Sequence, residues 1–245
     1  MSSFESKRLS HQQGNEVSLH QHAQGQLTLV MGGTANIYNS DGWWLATPGS
    51  GVWVPPGVRH CASYREQAVI INLLLEVPAG IDTPPQCCLV MVSSLLKALA
   101  TEATQLPASD PQMPLIAQLV LHQLGLHAVH SELYVPEGED KRLRAVTGFL
   151  KANPGCSDDL PALATRAYTS PRTLTRLFEK QTGMTFSRWR ERLRVVVAID
   201  RLLAGQPITT TALDLGYQSA SAFTAVFTKV MGMPPRRYLA EIRKK

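Results

Sequence analysis

Two sets of residues in this chain have the types and the spacing to do chemistry. The first is built on imidazole. His20 and His22 form an H-x-H pair, and alternation along a strand puts both side chains on one face. Gln26 follows four residues after His22, and His60 ends the turn sequence PPGVRH. Inward-facing imidazoles serve as metal ligands or as hydrogen-bond partners. Three readings stay open for His20, His22, Gln26 and His60: they bind a metal, they line an effector pocket without metal, or they are satisfied structural histidines.

The second set lies in the last hundred residues. Ser170-Pro171 has the form of a helix cap followed by a first-turn proline. The helix it opens exposes Arg172, Thr173, Thr175 and Arg176 early. Arginine is suited to bidentate contact with guanine, and threonine to hydrogen bonding or contact with a thymine methyl. Ser219 opens a second capped helix 49 residues later, with Ala220, Ser221, Ala222, Thr224 and Ala225 in the equivalent places. That face is small and uncharged, so phosphate contact, apolar contact or DNA shape must carry more of its share. Arg188, Arg190, Arg192 and Arg194 lie between the two, some placed for phosphate and others for surface ion pairs.

Other candidates are weaker. Cys61, Cys87, Cys88 and Cys156 contain no C-x-x-C pair, which removes zinc-finger and redox-motif readings. The adjacent Cys87 and Cys88 read as small buried hydrophobes rather than a redox sensor. Asp41 and Glu66 fall in expected turns, so no general acid or base stands out near the histidines.

The elements that must position these residues divide the chain. From about 15 to 80, QLTLVMG, TANIYN, WWLAT, GVWVP and AVIINLLLEV read as strands punctuated by Gly and Pro, which indicates a small β-barrel or sandwich. Trp43, Trp44, Trp53 and Tyr64 read as core or pocket wall, with the core preferred for each. Two helices follow, at about Leu89–Thr104 and Pro114–His127, the second aligning Leu115, Leu119, His122 and Leu126. HSELYVPEGEDK reads as an exposed linker. Beyond it the pattern is helical throughout. Helix, tight turn and capped helix occur twice around one long helix, with Asp158 or Asp159 capping the first pair and Thr209 or Thr210 starting the second.

Charge follows the same division. Residues 1–140 carry five Lys/Arg against twelve Asp/Glu, a net −7; residues 141–245 carry nineteen against seven, a net +12. The basic half is the electrostatic footprint expected of a protein that meets a polyanion. No apolar run approaches the ~20 residues of a membrane span. The N-terminal MSSFESKRLSHQQ lacks a signal-type apolar stretch, so a cytoplasmic location is expected.

The C-terminal pieces LA…SPRTLTRLF, TGMTF, WRERLR, ALDLGY, SA-F-T-VF and G-PPRRY together resemble the DNA-binding domain of AraC/XylS-type regulators, over roughly Lys141–Tyr238. The resemblance implies two helix-turn-helix subdomains on a linking helix, bound to successive major-groove faces. Ala220 and Ala225 depart from the larger or polar residues common there. The layout H-x-H-x3-Q with P-P-G-x2-H resembles the motifs of cupin β-barrels, where two His, a Glu and a further His point inward. Here Gln26 replaces the carboxylate. Imidazole suits Zn, Fe, Cu or Ni, while a neutral amide weakens binding of a hard divalent cation.

The expectation is therefore a multidomain chain of α and β parts. Residues 1–82 form a cupin-like effector-sensing barrel, 83–138 a helical linker and dimerisation segment, and 139–245 an all-α DNA-binding domain. Its helix-turn-helix motifs fall at about 160–181 and 209–231. DNA contact is assigned to Ser170, Arg172, Thr173, Thr175, Arg176, Ser219, Ser221 and Thr224. His20, His22 and His60, with Gln26, form the effector or metal pocket, with a divalent transition metal as one occupant. No catalytic residue is assigned. The partners are double-stranded DNA, a small-molecule effector, a second copy of the chain as homodimer and, for an activator rather than a repressor, RNA polymerase; no membrane is involved. The alternative is a metal-dependent cupin enzyme with an appended helical domain.

Overall fold

The computed structural model describes residues 4–129 and 131–244. His130, the first residue of the expected linker, and the extreme ends of the outer domains lie outside the described residues. Packing divides the described residues into two units, residues 4–39 with 44–129 and 131, and residues 40–43 with 132–244.

The N-terminal unit is a two-sheet, cupin-like domain. Its strands are β1 (Phe4–His11), β2 (Glu16–His20), β3 (Gly25–Gly32), β4 (Ala35–Tyr38), β5 (Gly42–Ala46), β6 (Ser50–Val54), β7 (His60–Ser63), β8 (Ala68–Leu75), β9 (Cys88–Met91) and β10 (Ala128–Val129). One sheet runs β1-β8-β3-β6-β9-β10, and the other carries β5-β4-β7-β2. The apolar runs of β3, β6 and β8 are central in the first sheet. Charged β1 forms its edge, where Glu5, Lys7 and Arg8 discourage further pairing. That strand is absent from the expected set because only Phe4 and Leu9 mark it as apolar.

Two helices close the unit, α1 (Ser94–Ala103) and α2 (Met113–His127). The expected helix from Leu89 is corrected here: Cys88–Met91 is strand β9, and the helix waits for Ser93, which accepts a hydrogen bond from the Leu96 amide at 3.1 Å. Leu96 and Ala100 of α1 and Ile116, Val120, Leu121 and Leu124 of α2 pack with Leu27, Leu29, Trp53, Ile71 and Leu73. Each such side chain contributes about 1.5–3 kcal/mol by leaving water. Trp53 fits because position 25 is glycine: a Cβ there would stand 2.0 Å from the indole ring. Trp43, Trp44 and Tyr64 are also buried. The opposite face of α2 stays in water, with Leu115 61%, Leu119 45% and Leu126 62% exposed.

The C-terminal unit begins with β11 (Tyr134–Pro136), then α3 (Lys141–Ala152), α4 (Leu160–Arg166), α5 (Pro171–Thr182), α6 (Phe186–Leu203), α7 (Ile208–Asp214), α8 (Ala220–Met231) and α9 (Pro235–Ile242). β11 precedes residue 139, and from α3 onward the described elements are helices, as expected. The segment expected to be an exposed linker is also corrected. Leu133, Val135 and Pro136 are buried, and Trp189 donates its indole N–H to the Pro136 carbonyl at 2.6 Å. Glu132 pairs with the buried Arg192, and Gln181 Oε1 accepts from the Glu139 and Asp140 amides at 2.9 and 3.0 Å. Acidic composition suggested solvent, but Glu132, Glu137 and Asp140 pair with Arg192, Lys151 and Arg142 of the same unit. Among the described residues no helix is long and apolar enough to cross a membrane.

Candidate nucleic-acid interface and effector site

The first helix-turn-helix is α4 and α5. Asp159, rather than Asp158, caps α4 by accepting from the Ala162 amide at 2.9 Å. Ser170 caps α5, accepting from the Thr173 amide at 3.1 Å, and Pro171 occupies the first turn. Leu174, Leu177 and Phe178 are buried, and Phe178 packs 5.6 Å from Trp189 on α6. With that face committed inward, Arg172 and Arg176, one helical turn apart, stand exposed together. Neither enters an ion pair among the described residues. The Thr173 hydroxyl lies 2.9 Å from Ser170 Oγ, and the Thr175 hydroxyl donates to the Pro171 carbonyl at 3.0 Å. Ser170, Thr173 and Thr175 thus shape the helix start that presents the two arginines.

The second motif is α7 and α8. α7 begins at Ile208 after Pro207, with no side-chain cap, so neither Thr209 nor Thr210 starts it. Proline fixes the entry backbone in their place. Ser219 caps α8 by accepting from the Ala222 amide at 3.1 Å. Ser221 is exposed, and the Thr224 hydroxyl donates to the Ala220 carbonyl at 2.7 Å. The outward face of α8 is small, as its sequence indicates.

The arginine cluster of α6 is mostly structural. Arg190 donates to the Asp158 carbonyl and lies over the Phe186 ring, and Arg194 donates to the Pro154 and Cys156 carbonyls at 2.9 and 2.8 Å. Only Arg188 of the four is exposed. One residue escaped the sequence reading: Tyr168, in the turn between α4 and α5, is 97% exposed and holds φ at +51°. A bulky residue kept in the left-handed region beside a recognition helix marks stored strain.

In the N-terminal unit the structure brings His20, His22, Gln26 and His60 together. His20 ends β2 and is the register partner of His60 on β7. His22 lies two residues past β2, not on the strand, and reaches the set from the loop. One ring nitrogen of each histidine lies within 4.8 Å of the other two. Gln26 Oε1, from β3 of the other sheet, is 2.8 Å from His22 Nε2 and 3.3 Å from His60 Nε2. His60 is buried; its pKa is lowered by desolvation and by His20 and His22, against the Val58 carbonyl that raises it. Thr28 and Asn72 continue the set through hydrogen bonds of 2.9 and 2.6 Å. The sequence carries their signal as lone polar residues in QLTLV and IINLL.

Two family descriptions match the two ends of the chain: "Helix-turn-helix domain" over residues 163–241 and "AraC-like ligand binding domain" over residues 8–68. The HTH-type transcriptional regulator NimR of Escherichia coli is 29% identical over 227 residues, spanning 91% of this chain and 82% of its own. The chain belongs to the AraC family of transcription regulators. Other AraC-type relatives match over shorter stretches. The arabinose operon regulatory protein of Escherichia coli is 29% identical over 135 residues, 54% of this chain and 44% of its own. The regulator RipA of Corynebacterium glutamicum is 35% identical over 98 residues, 40% of this chain and 30% of its own. An AraC-type regulator is a DNA-binding protein with an N-terminal ligand-binding domain, and the enzyme alternative falls with that assignment.

Proposed function

We propose that this AraC-family chain is an effector-gated, sequence-specific regulator. In this reading residues 1–82 bind the effector, 83–138 pair two copies, and 139–245 read a promoter element in the cytoplasm. The observation that carries the DNA end is the exposed pair Arg172 and Arg176 on capped α5. Two guanidinium groups with no internal partner, one turn apart at a helix start, suit the edges of bases in a major groove. Ser170, Thr173 and Thr175 hold the helix start, and Ser219, Ser221 and Thr224 give α8 a supporting role in register and backbone contact.

The stripe of Leu115, Leu119 and Leu126 on α2 supports pairing with a second copy. Linking two weak readers raises affinity without new base contacts. The effector, a small molecule or a metal, sits in this reading at His20, His22, Gln26 and His60. Residues 132–140 are bound to α5 and α6 through Gln181, Trp189 and Arg192, so a signal that shifts them acts on the recognition helix directly.

Selection from random double-stranded DNA with the full chain tests the reading. It should enrich one motif at moderate salt, with the strongest positions lost in Arg172→Ala. A selection that enriches nothing would sink it.

A further inference from the structure

The turn that opens the first recognition helix carries a side chain the fold does not use. Both helix-turn-helix motifs make the same turn, 48 residues apart. In the first, the Ala167, Tyr168 and Thr169 amides donate to the Leu163, Thr165 and Ala164 carbonyls at 3.1, 3.1 and 2.9 Å. In the second, the Leu215, Gly216 and Tyr217 amides donate to the Thr211, Leu213 and Ala212 carbonyls at 3.1, 2.9 and 3.0 Å. The middle residue of each set enters the left-handed region, with φ at +51° for Tyr168 and +77° for Gly216. Glycine does so freely, whereas a Cβ is crowded by the following carbonyl. Tyrosine holds this conformation and gains nothing inside the chain, because its side chain is 97% exposed.

The position of the ring indicates what it meets. Tyr168 stands two residues before the Ser170 cap and four before Arg172. A docked recognition helix enters the major groove by its first residues, while the helix before it crosses the DNA backbone. The turn that joins them therefore runs along the phosphate-lined wall of the groove. Charge agrees: from residue 160 to 178 the charged side chains are Arg166, Arg172 and Arg176, all exposed, a setting that attracts a polyanion. Tyrosine hydroxyls are among the groups that hydrogen-bond phosphate oxygens. We propose that Tyr168 donates its hydroxyl to a DNA backbone phosphate at the edge of the groove that α5 enters. The contact rests on the reading of α5 as a recognition helix. It fixes the register of the first motif without reading a base. The second motif, with Gly216 in the same place, lacks this anchor.

The test uses the full chain and the double-stranded motif it selects. Tyr168→Phe removes one donor and keeps the ring, while Tyr168→Gly removes the side chain and the strain. Both should weaken binding by about tenfold or more, as for the loss of a hydrogen bond to a charged group. The loss should be the same for the selected site and its single-base variants. The slope of affinity against salt should stay unchanged, because a neutral phenol displaces no counterion. Tyr168→Gly should also raise the urea midpoint, since glycine is favoured at positive φ. Stronger folding with weaker binding cannot come from misfolding. Ethylation of one phosphate should weaken the parent and leave Tyr168→Phe unaffected. Parent-like affinity in both variants, while Arg172→Ala still loses base preference, overturns the contact and keeps the DNA-binding reading. Transcription lost at parent-like affinity assigns the ring to a protein partner and also overturns the contact. A parent chain that selects no motif overturns both.

Discussion

The Arg194 guanidinium lies 5.4 Å from the ring centroid of Tyr217, across the seam between the two helix-turn-helix motifs. The same group donates to the Pro154 and Cys156 carbonyls before α4. The backbones also close on each other: Gly216 holds φ at +77°, and a Cβ there would meet the Gly155 carbonyl oxygen at 2.6 Å. One arginine therefore ties the loop before the first motif to the turn of the second. Arg194→Ala should cost about 1–3 kcal/mol in urea unfolding, because two carbonyls lose a charged donor. Arg194→Lys should not restore it, since a point charge cannot serve both carbonyls and the ring. Affinity for a two-element site should fall further than affinity for a single element.

The two recognition helices should behave unequally. Arg172→Ala and Arg176→Ala should each cost about 1–3 kcal/mol at a preferred base and relax selection at that position. Ser221→Ala should leave base preference unchanged within about 0.5 kcal/mol, as for a surface change that breaks no buried contact. Competition binding against single-base variants of the selected site reads both. A uniform loss across all sequences for Arg172→Ala would show that it touches phosphate instead.

Leu119→Glu with Leu126→Glu should convert a dimer to a monomer without unfolding the chain. Both side chains face water in the single copy, so the cost falls on association alone. Light scattering with a chromatographic separation measures it. An unchanged mass would place the pairing surface elsewhere.

Asp140 predicts a pH dependence. It caps α3, and hydrogen bonds from the Arg142 side chain and amide hold its carboxyl down at about 2, below the usual 3.8. A depressed carboxyl stabilises fully above its unfolded value. The cap should therefore persist to about pH 4 and be lost as pH falls toward 2. Asp140→Ala should cost about 0.5–2 kcal/mol near neutrality. The difference between variant and parent, followed by circular dichroism, should shrink below about pH 4 and close near pH 2.

Cys88 bears on reactivity. Burial pushes its thiol up to about 11, so near pH 7 the nucleophilic thiolate is scarce. Alkylation of Cys88 should be slower than that of an unperturbed thiol at the same pH, measured by mass spectrometry.

By itself the sequence determined the two-part plan, the doubled capped-helix pattern and the unequal recognition faces. These are local matters. Ser170-Pro171, Ser219, Gly183 and Gly232 act through their own turns, and α5 owes its exposed arginines to spacing alone. The strands of apolar composition were legible for the same reason, while charged β1 and the short β9 were not, because pairing with neighbours makes them strands. Only the tertiary structure decided the rest. It bound acidic residues 132–140 to α5 and α6, turned Arg190, Arg192 and Arg194 inward as brackets, and brought His22 to His60 from outside the strand. Each depends on partners some 30 to 60 residues away, and no local spacing encodes which carbonyl or carboxylate a long side chain will meet.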